Sequence, residues 1–252
     1  MLEINKIHFG DCLDLHEGID SQSIDMILTD LPYEVTQNHW DCEIDLTKLW
    51  AQYDRIIKPT TPILLFGQDK FTAKLMLFRE DIHRYNWIWE KDRTSGFLNG
   101  GIMPLRCHED ICVFYNEQSI YNPQRWKGKP EHSVGRSTNV KKNNNYGEFT
   151  YKENLGNTDK LPRSVLYFPR PHPPIFPTEK PVNLIRYLIR TYTNAGALIL
   201  DSCSGSGTLA VAAIEEKRNF IAIEKNRKNW EDSVKRYEPL LSVKTFNFPN
   251  QP

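Results

Sequence analysis

The 252-residue sequence predicts an α/β fold: a doubly wound, mostly parallel sheet with helices on both faces. Three observations predict it. Short apolar runs that end at Gly, Pro or Asp alternate with amphipathic helical stretches along most of the chain. One such run passes straight into a glycine turn and then a helix, the arrangement of a nucleotide-binding first turn. The composition is that of a soluble globular chain, with 39% hydrophobic and 25% charged residues. This length holds one α/β domain with an insertion, or two small domains.

The elements follow in order. Ile4–Phe9 alternates weakly and reads as a strand, followed by a helix over Leu13–Gly18. Asp11, between them, suits either a helix N-cap or a hydrogen-bond partner for a nucleotide-like ligand. Met26–Leu28 is a buried strand. Apolar positions Leu46, Leu49, Trp50, Tyr53, Ile56 and Ile57 fall at helical spacing, and Pro59 stops that helix. Ile63–Gly67 is a buried strand, Lys70–Phe78 a helix, and Asn86–Glu90 and Ile111–Tyr115 two more strands. Lys91–Asp110 between them is glycine-rich and reads as a long loop carrying Arg93 and Arg106. Val182–Tyr192 is a helix entered through prolines, with Thr178 as its cap. Ala197–Leu200 is a strand, Leu209–Glu216 a helix and Phe220–Ile223 a strand that ends at Glu224.

Two stretches carry chemistry. The strand at Met26–Leu28 ends in Thr29-Asp30-Leu31-Pro32-Tyr33. Pro32 forces the chain out of the sheet there, at the edge where open α/β sheets bind ligands. A nucleobase amine is a poor nucleophile because its lone pair is delocalised into the ring. The Asp30 carboxylate and a nearby backbone carbonyl can accept its N–H bonds and stabilise the charge that develops on attack. Tyr33 offers a face for an extruded base. An ordinary turn after a strand would use the same residues. The second stretch is Asp201-Ser202-Cys203-Ser204-Gly205-Ser206-Gly207-Thr208. Gly205 and Gly207 let the backbone approach a ligand. Glu224 follows Gly205 at the spacing of an acid that binds ribose hydroxyls. A third glycine is missing, so the pattern does not favour NAD.

Between these stretches, residues 116–172 change character. Ten basic residues stand against five acidic there, while the whole chain balances 32 against 32. Arg125, Lys127, Arg136, Lys141 and Lys142 interleave with Tyr121, Trp126, Tyr146, Phe149 and Tyr151. Cations for phosphates and rings for stacking suit a nucleic-acid surface; an incidental flexible insertion would look similar. The five cysteines include no C-x-x-C pair and the histidines no H-x-x-x-H pair, so no metal is expected. No apolar run approaches the ~20 residues that span a bilayer. The start, MLEINKIHFGDC, has no signal-peptide pattern, and a cytoplasmic protein is expected.

On these residues the sequence resembles the amino-group DNA methyltransferases. TDLPY looks like their DPPY catalytic motif, DSCSGSGT like their D-x-F-x-G-x-G-T cofactor motif, and FPTEKP like their H-P-T-x-K-P segment. NWIWEK and HEDICVFY resemble later strands. The catalytic motif precedes the cofactor motif, which marks the β group. The resemblance implies a Rossmann-like seven-stranded sheet in the order 3-2-1-4-5-7-6 with one antiparallel strand. It implies a methyltransferase domain in two parts, 1–115 and 173–252, around a loop-rich target-recognition insertion, 116–172. It implies S-adenosylmethionine as cofactor, double-stranded DNA as partner, and a bacterial or phage-infected cell; family members often form homodimers. By the same resemblance, Asp30, Pro32 and Tyr33 are catalytic. Asp201, Cys203, Gly205, Gly207 and Thr208 form the cofactor pocket, with Thr29 and Asp30 on its wall and Glu224 on the ribose. Asp11 lies by the adenine, and Thr178 and Lys180 near the methionine end. Arg93, Arg106 and the basic residues of the insertion meet DNA. Asp at the head of the tetrapeptide points to adenine N6. Cytosine N4, RNA, and a non-catalytic DNA-binding remnant are the alternatives. Three positions depart from the family: Leu31 for a proline, Cys203 for an aromatic residue and Phe176 for a histidine.

Overall fold

A computed structural model describes residues 2–33, 44–129, 141–143, 147–149, 158–176 and 178–244. The chain forms two compact units, Met1–Asn122 with Ser164–Pro252, and Pro123–Arg163. Residues 116–122 and 164–172, expected in the insertion, thus belong with the first unit.

The elements are β1 (Lys6–Phe9), α1 (Cys12–Leu15), β2 (Met26–Thr29), α2 (Leu46–Ile56), β3 (Ile63–Gly67), α3 (Asp69–Phe78), β4 (His83–Ser95), β5 (Arg106–Phe114), β6 (Trp126–Lys127), β7 (Lys141–Asn143), β8 (Gly147–Phe149), β9 (Asp159–Lys160), β10 (Val165–Tyr167), α4 (Val182–Tyr192), β11 (Leu198–Asp201), α5 (Thr208–Glu215), β12 (Asn219–Glu224) and α6 (Arg227–Lys244). In the first unit, one sheet runs β1-β12-β11-β2-β3-β5-β4-β10. Only β5 opposes its neighbours, pairing antiparallel with both β3 and β4. Seven strands take the order 3-2-1-4-5-7-6. The eighth, β10, adds parallel to β4 at the edge and corrects the expected seven. Three residues were too few to show a period in sequence.

Period-two alternation explains the layers. Met26 and Leu28 point to one face with Leu64, Phe66, Phe220 and Ala222, where α4, α5 and Tyr237 of α6 cover them. Ile27 points to the other with Ile63, Leu65, Ile221 and Ile223, under Leu49, Trp50, Tyr53, Phe71 and Leu75 of α2 and α3. Strands apolar on both faces belong to a sheet buried on both faces. Asp45 caps α2 by accepting from Thr47 N at 3.0 Å and Lys48 N at 3.1 Å.

Four expectations change. Pro181, not Thr178, stands at the N-cap of α4; its fixed φ of −63° suits that entry. Helix α1 closes after Leu15 and a 3-10 turn, His16–Gly18, completes the stretch. Lys91–Asp110 is a loop only over Gly96–Leu105: β4 and β5 continue as a hairpin, with an irregularity past Glu90, to Ser95 and Arg106. Helix α6, past the last expected strand, buries Tyr237 and packs Trp230, Val234, Leu240 and Leu241 on the core.

In the second unit, β6 pairs antiparallel with β9, and β7 with β8. Trp126 Nε1 donates to the Leu161 carbonyl at 3.2 Å.

Candidate active site

Strands β1, β12, β11 and β2 are parallel, so their carboxyl ends share one edge. The residues that follow them, Gly10-Asp11, Glu224-Lys225, Asp201–Gly205 and Thr29–Pro32, line one cavity of about 170 Å³. Asp11, Thr29, Asp30, Pro32, Thr178, Lys180, Asp201, Cys203, Gly205, Thr208 and Glu224 are all brought together there.

The seam between β2 and β11 is tied by hydrogen bonds. Thr29 Oγ1 donates to Asp201 Oδ1 at 2.8 Å, and Cys203 N donates to the same oxygen at 3.1 Å. Burial pushes the Asp201 carboxyl up to about 7, partly opposed by these donors. The turn beyond is latched to β12: Ser204 N donates to the Ile223 carbonyl at 2.8 Å and Gly205 N to Glu224 Oε2 at 2.8 Å. The other oxygen of Glu224 accepts from Asn226 N at 2.7 Å. Gly205 has φ +51° and no atom within 4 Å of where a side chain would begin, so its backbone faces open space. Gly207 does not line the cavity, contrary to expectation. It is glycine for shape: φ is +72°, and a Cβ would lie 3.0 Å from the Ser233 Cβ and 3.2 Å from Ile7 Cδ1.

Asp11 caps α1, accepting from Leu13 N at 2.9 Å, and also lines the cavity. Cys203 meets Cys12 there. The bond to that thiol and burial push the Cys203 thiol up, away from a reactive thiolate. Leu31 is 2% exposed and belongs to the core cluster that holds Cys12 of α1 and Leu46 and Leu49 of α2.

Around Asp30 the structure places a chain of alternating charge. Tyr33 donates its hydroxyl to Asp30 Oδ1 at 2.5 Å, and Lys180 Nζ donates to Oδ2. Lys180 Nζ also lies 3.2 Å from Glu109 Oε2, and Lys91 Nζ lies 2.5 Å from Glu109 Oε1. Two cations balance two carboxylates; Lys180, Lys91 and Glu109 are largely buried, while the Asp30 side chain keeps 29% exposure. Burial raises the Asp30 carboxyl above its ordinary range, against the pull of Lys180. Glu109 moves down despite burial, because Lys180 and Lys91 flank it. Lys180 moves up despite burial, because Asp30 and Glu109 hold its proton. Tyr33 does not line the cavity; its ring stacks on Phe71, centroids 5.0 Å apart and planes at 30°.

Sequence reasoning missed Lys91, Glu109 and Glu179. Glu179 is buried on the cavity wall and pairs with Arg236 of α6 at 2.7 Å. Its signal was a charge amid prolines, which has no period. Of the expected DNA contacts, Arg93 pairs with Asp92 and Arg106 with Asp69, each at 3.0 Å. Arg125 is exposed, and exposed Lys127 pairs with Asp159. Arg136 lies outside the described residues, and Lys141 and Lys142 are described only as the backbone of β7. Among the described residues no group of three His, Cys, Asp or Glu could hold a metal, and no helix is long and apolar enough to cross a membrane.

A family model described as DNA methylase matches residues 24–235. The type II methyltransferase M1.MboII of Moraxella bovis is 27% identical over 266 residues, covering 90% of this chain and 94% of that one. Among solved structures, the M1.HpyAVI–SAM complex is similar with a TM-score of 0.62 at 20% identity, covering 92% of this chain and 98% of that one. The PvuII DNA methyltransferase, titled cytosine-N4-specific, gives 0.66 at 14% identity, with 95% and 90% covered. At such identities the two structures speak for the fold.

Proposed function

The chain belongs to this DNA methylase family, and from that premise we propose that it methylates the N6 amine of adenine in DNA. The observation that carries this is the shared cavity: the Asp30 carboxylate and the Gly205 turn open onto the same space. S-adenosylmethionine is the cofactor, and it supplies an electrophilic methyl group on a sulfonium. The cavity fits it, with free backbone space at Gly205 and carboxylates at Asp201 and Glu224. Asp201 and the 203–205 turn would hold its amino-acid and ribose parts, Glu224 the ribose, Asp11 the adenine side, and Thr178 the methionine end.

The chain's own residues then do three things. Asp30 accepts an N–H bond from the target amine, which favours a tetrahedral nitrogen and stabilises the positive charge formed there. Its raised carboxyl also suits it to hold the proton that nitrogen releases. Pro32 fixes the backbone whose carbonyls face the same amine. Tyr33, one face of its ring already on Phe71, would offer its other face to the extruded base. In the structure the Tyr33 hydroxyl and Lys180 ammonium occupy both oxygens of Asp30, so entry of the amine exchanges one of these bonds for its own. The Pro123–Arg163 unit reads the target sequence, with Arg93 and Arg106 on phosphates.

Adenine is favoured by Asp at the head of the tetrapeptide. Similarity to the cytosine-N4-specific enzyme favours cytosine N4 as the second reading. Nucleoside mass analysis of DNA from cells expressing the protein separates them, N6-methyladenine being expected. Asp30→Ala should abolish methylation while binding S-adenosylmethionine in calorimetry. Full activity in that variant would disprove the role of Asp30. A wild-type chain giving no heat with the cofactor would mark a remnant.

A further inference from the structure

Ten residues join β4 to β5, Gly96–Leu105, and they expose more apolar side chain than any comparable stretch among the described residues. Phe97 is 79% exposed, Leu98 and Ile102 85% each, with Met103 and Leu105 at 47% and 38%. Side chains exposed to four-fifths do not lie on a flat face; they stand on a projecting tip. Such a cluster is costly in water and marks a contact surface.

The tip is a built feature. Gly96 takes φ +81° to turn the chain. Asn99 N donates to the Gly96 carbonyl at 2.9 Å, and Ile102 N and Met103 N both donate to the Asn99 carbonyl at 3.0 Å. The hairpin below is clamped by other bonds: Gln68 Nε2 donates to the His108 carbonyl at 3.1 Å, and Arg170 N donates to Asp92 Oδ1 at 2.8 Å. A rigid arm thus presents an apolar end.

Its place and charge point to a partner. Strand β4 runs in the sense of β2 and β3, so its carboxyl end leaves the sheet at the edge that bears Asp30. Glu109, three residues below Arg106, touches Lys180, which binds Asp30. From Arg93 to Cys107 the sequence has two arginines and no acid. Their surface pairs with Asp92 and Asp69 are of the weak, exchangeable kind. An apolar point between two cations, beside the methyl-accepting site, matches a stacked polyanion.

We propose that this tip is a wedge for duplex DNA: Phe97, Leu98 and Ile102 enter the base stack beside the target and fill the gap left when the target base is extruded. This rests on the DNA-methylation reading above. A stacked, paired base is out of reach of Asp30 until it leaves the helix, and the emptied stack recloses unless something occupies it. Phe, Leu, Ile and Met are the side chains that unstack base steps in this way, while arginines hold the flanking phosphates.

The test compares wild type with Phe97→Ala/Leu98→Ala/Ile102→Ala, all three exposed, on duplexes carrying the site mapped from wild-type methylation. One duplex has the target base normally paired; the other sets it opposite an abasic position, where extrusion is easy. The variant is expected to bind S-adenosylmethionine as wild type does. It should lose ten- to a hundredfold in single-turnover methylation of the paired duplex and less than threefold on the abasic one. Equal activity of variant and wild type on the paired duplex would overturn the wedge. An equal deficit on both duplexes would do the same, as would a fall in sedimentation coefficient showing that the tip joins two copies of this chain. If the mapping step finds no methylated base in DNA from cells expressing the wild type, the parent reading falls and the wedge with it.

Discussion

Removing the Lys180 ammonium tests the charged chain at its most sensitive point. Lys180→Met keeps the length and most of the volume of the stem. It leaves Asp30 and Glu109 as two carboxylates with one cation, Lys91, between them and solvent. At 3.2 Å and an effective dielectric of about 20, one such ion contact is worth at most about 5 kcal/mol. Breaking one partner of a buried pair typically costs about 3–5 kcal/mol. Losing the ammonium therefore pushes both carboxyls up from where they stand in the wild type. Asp30 already stands above its unfolded value, and Glu109 loses one of the two cations that hold it below. The loss of stability is therefore small at pH 5, where protons neutralise them, and grows as the pH rises towards 8. The acid limb of the methylation rate should move up by at least one unit, because Asp30 must ionise to accept the amine. Lys180→Arg, which keeps the charge, should restore most of both. Thermal melts at pH 5 and 8 and single-turnover rates from pH 5 to 9 measure this. A variant that melts with the same deficit at both pH values, with an unmoved acid limb, would refute the coupling.

Two further outcomes follow from the cofactor turn. Asp201 holds its proton up to about 7 when folded but loses it near 3.8 when unfolded, so it withdraws stability as the pH climbs between those values. Asp201→Asn should raise the melting temperature by a margin that widens from pH 5 to pH 8, with a ceiling of about 4 kcal/mol; a constant margin would contradict the cause. Gly207→Ala should cost about 1–3 kcal/mol in urea unfolding, because a left-handed φ and close contact with Ser233 add together. Gly205→Ala shares the φ strain without the clash, so it should unfold more like wild type and lose cofactor affinity instead; the reverse ranking would refute the division.

The doubly wound core was legible because its signals are local. Met26–Leu28, Ile63–Gly67 and Phe220–Ile223 are apolar on both faces, and α2 and α4 repeat at 3.6. The hairpin past Glu90 was not, since strands that leave the sheet have no buried face and Arg93, Thr94 and Ser95 are polar on both sides. Helix α6 mixes its apolar positions with many charges and carries Pro239, which hides the repeat. At the site, Asp30, Asp201 and Glu224 could be found because each ends a strand. Lys91 and Glu109 could not, because they matter only through Lys180, 89 and 71 positions away in sequence. Asp30 itself was legible, but the fact that both its oxygens are engaged is a property of packing.

Strands β2 and β11 are hydrogen-bonded neighbours, yet some 170 residues separate them. The polypeptide departs from this seam and comes back to it, and the Pro123–Arg163 unit hangs within that excursion. Both of its ends are fastened: Asn122 N donates to the Thr191 carbonyl at 2.7 Å, and Ile88 N to the Ser164 carbonyl at 2.8 Å. A segment moored at its two roots behaves as a cartridge. On the proposed reading of this unit, exchanging it for another should change the address while the chemical machinery keeps its shape.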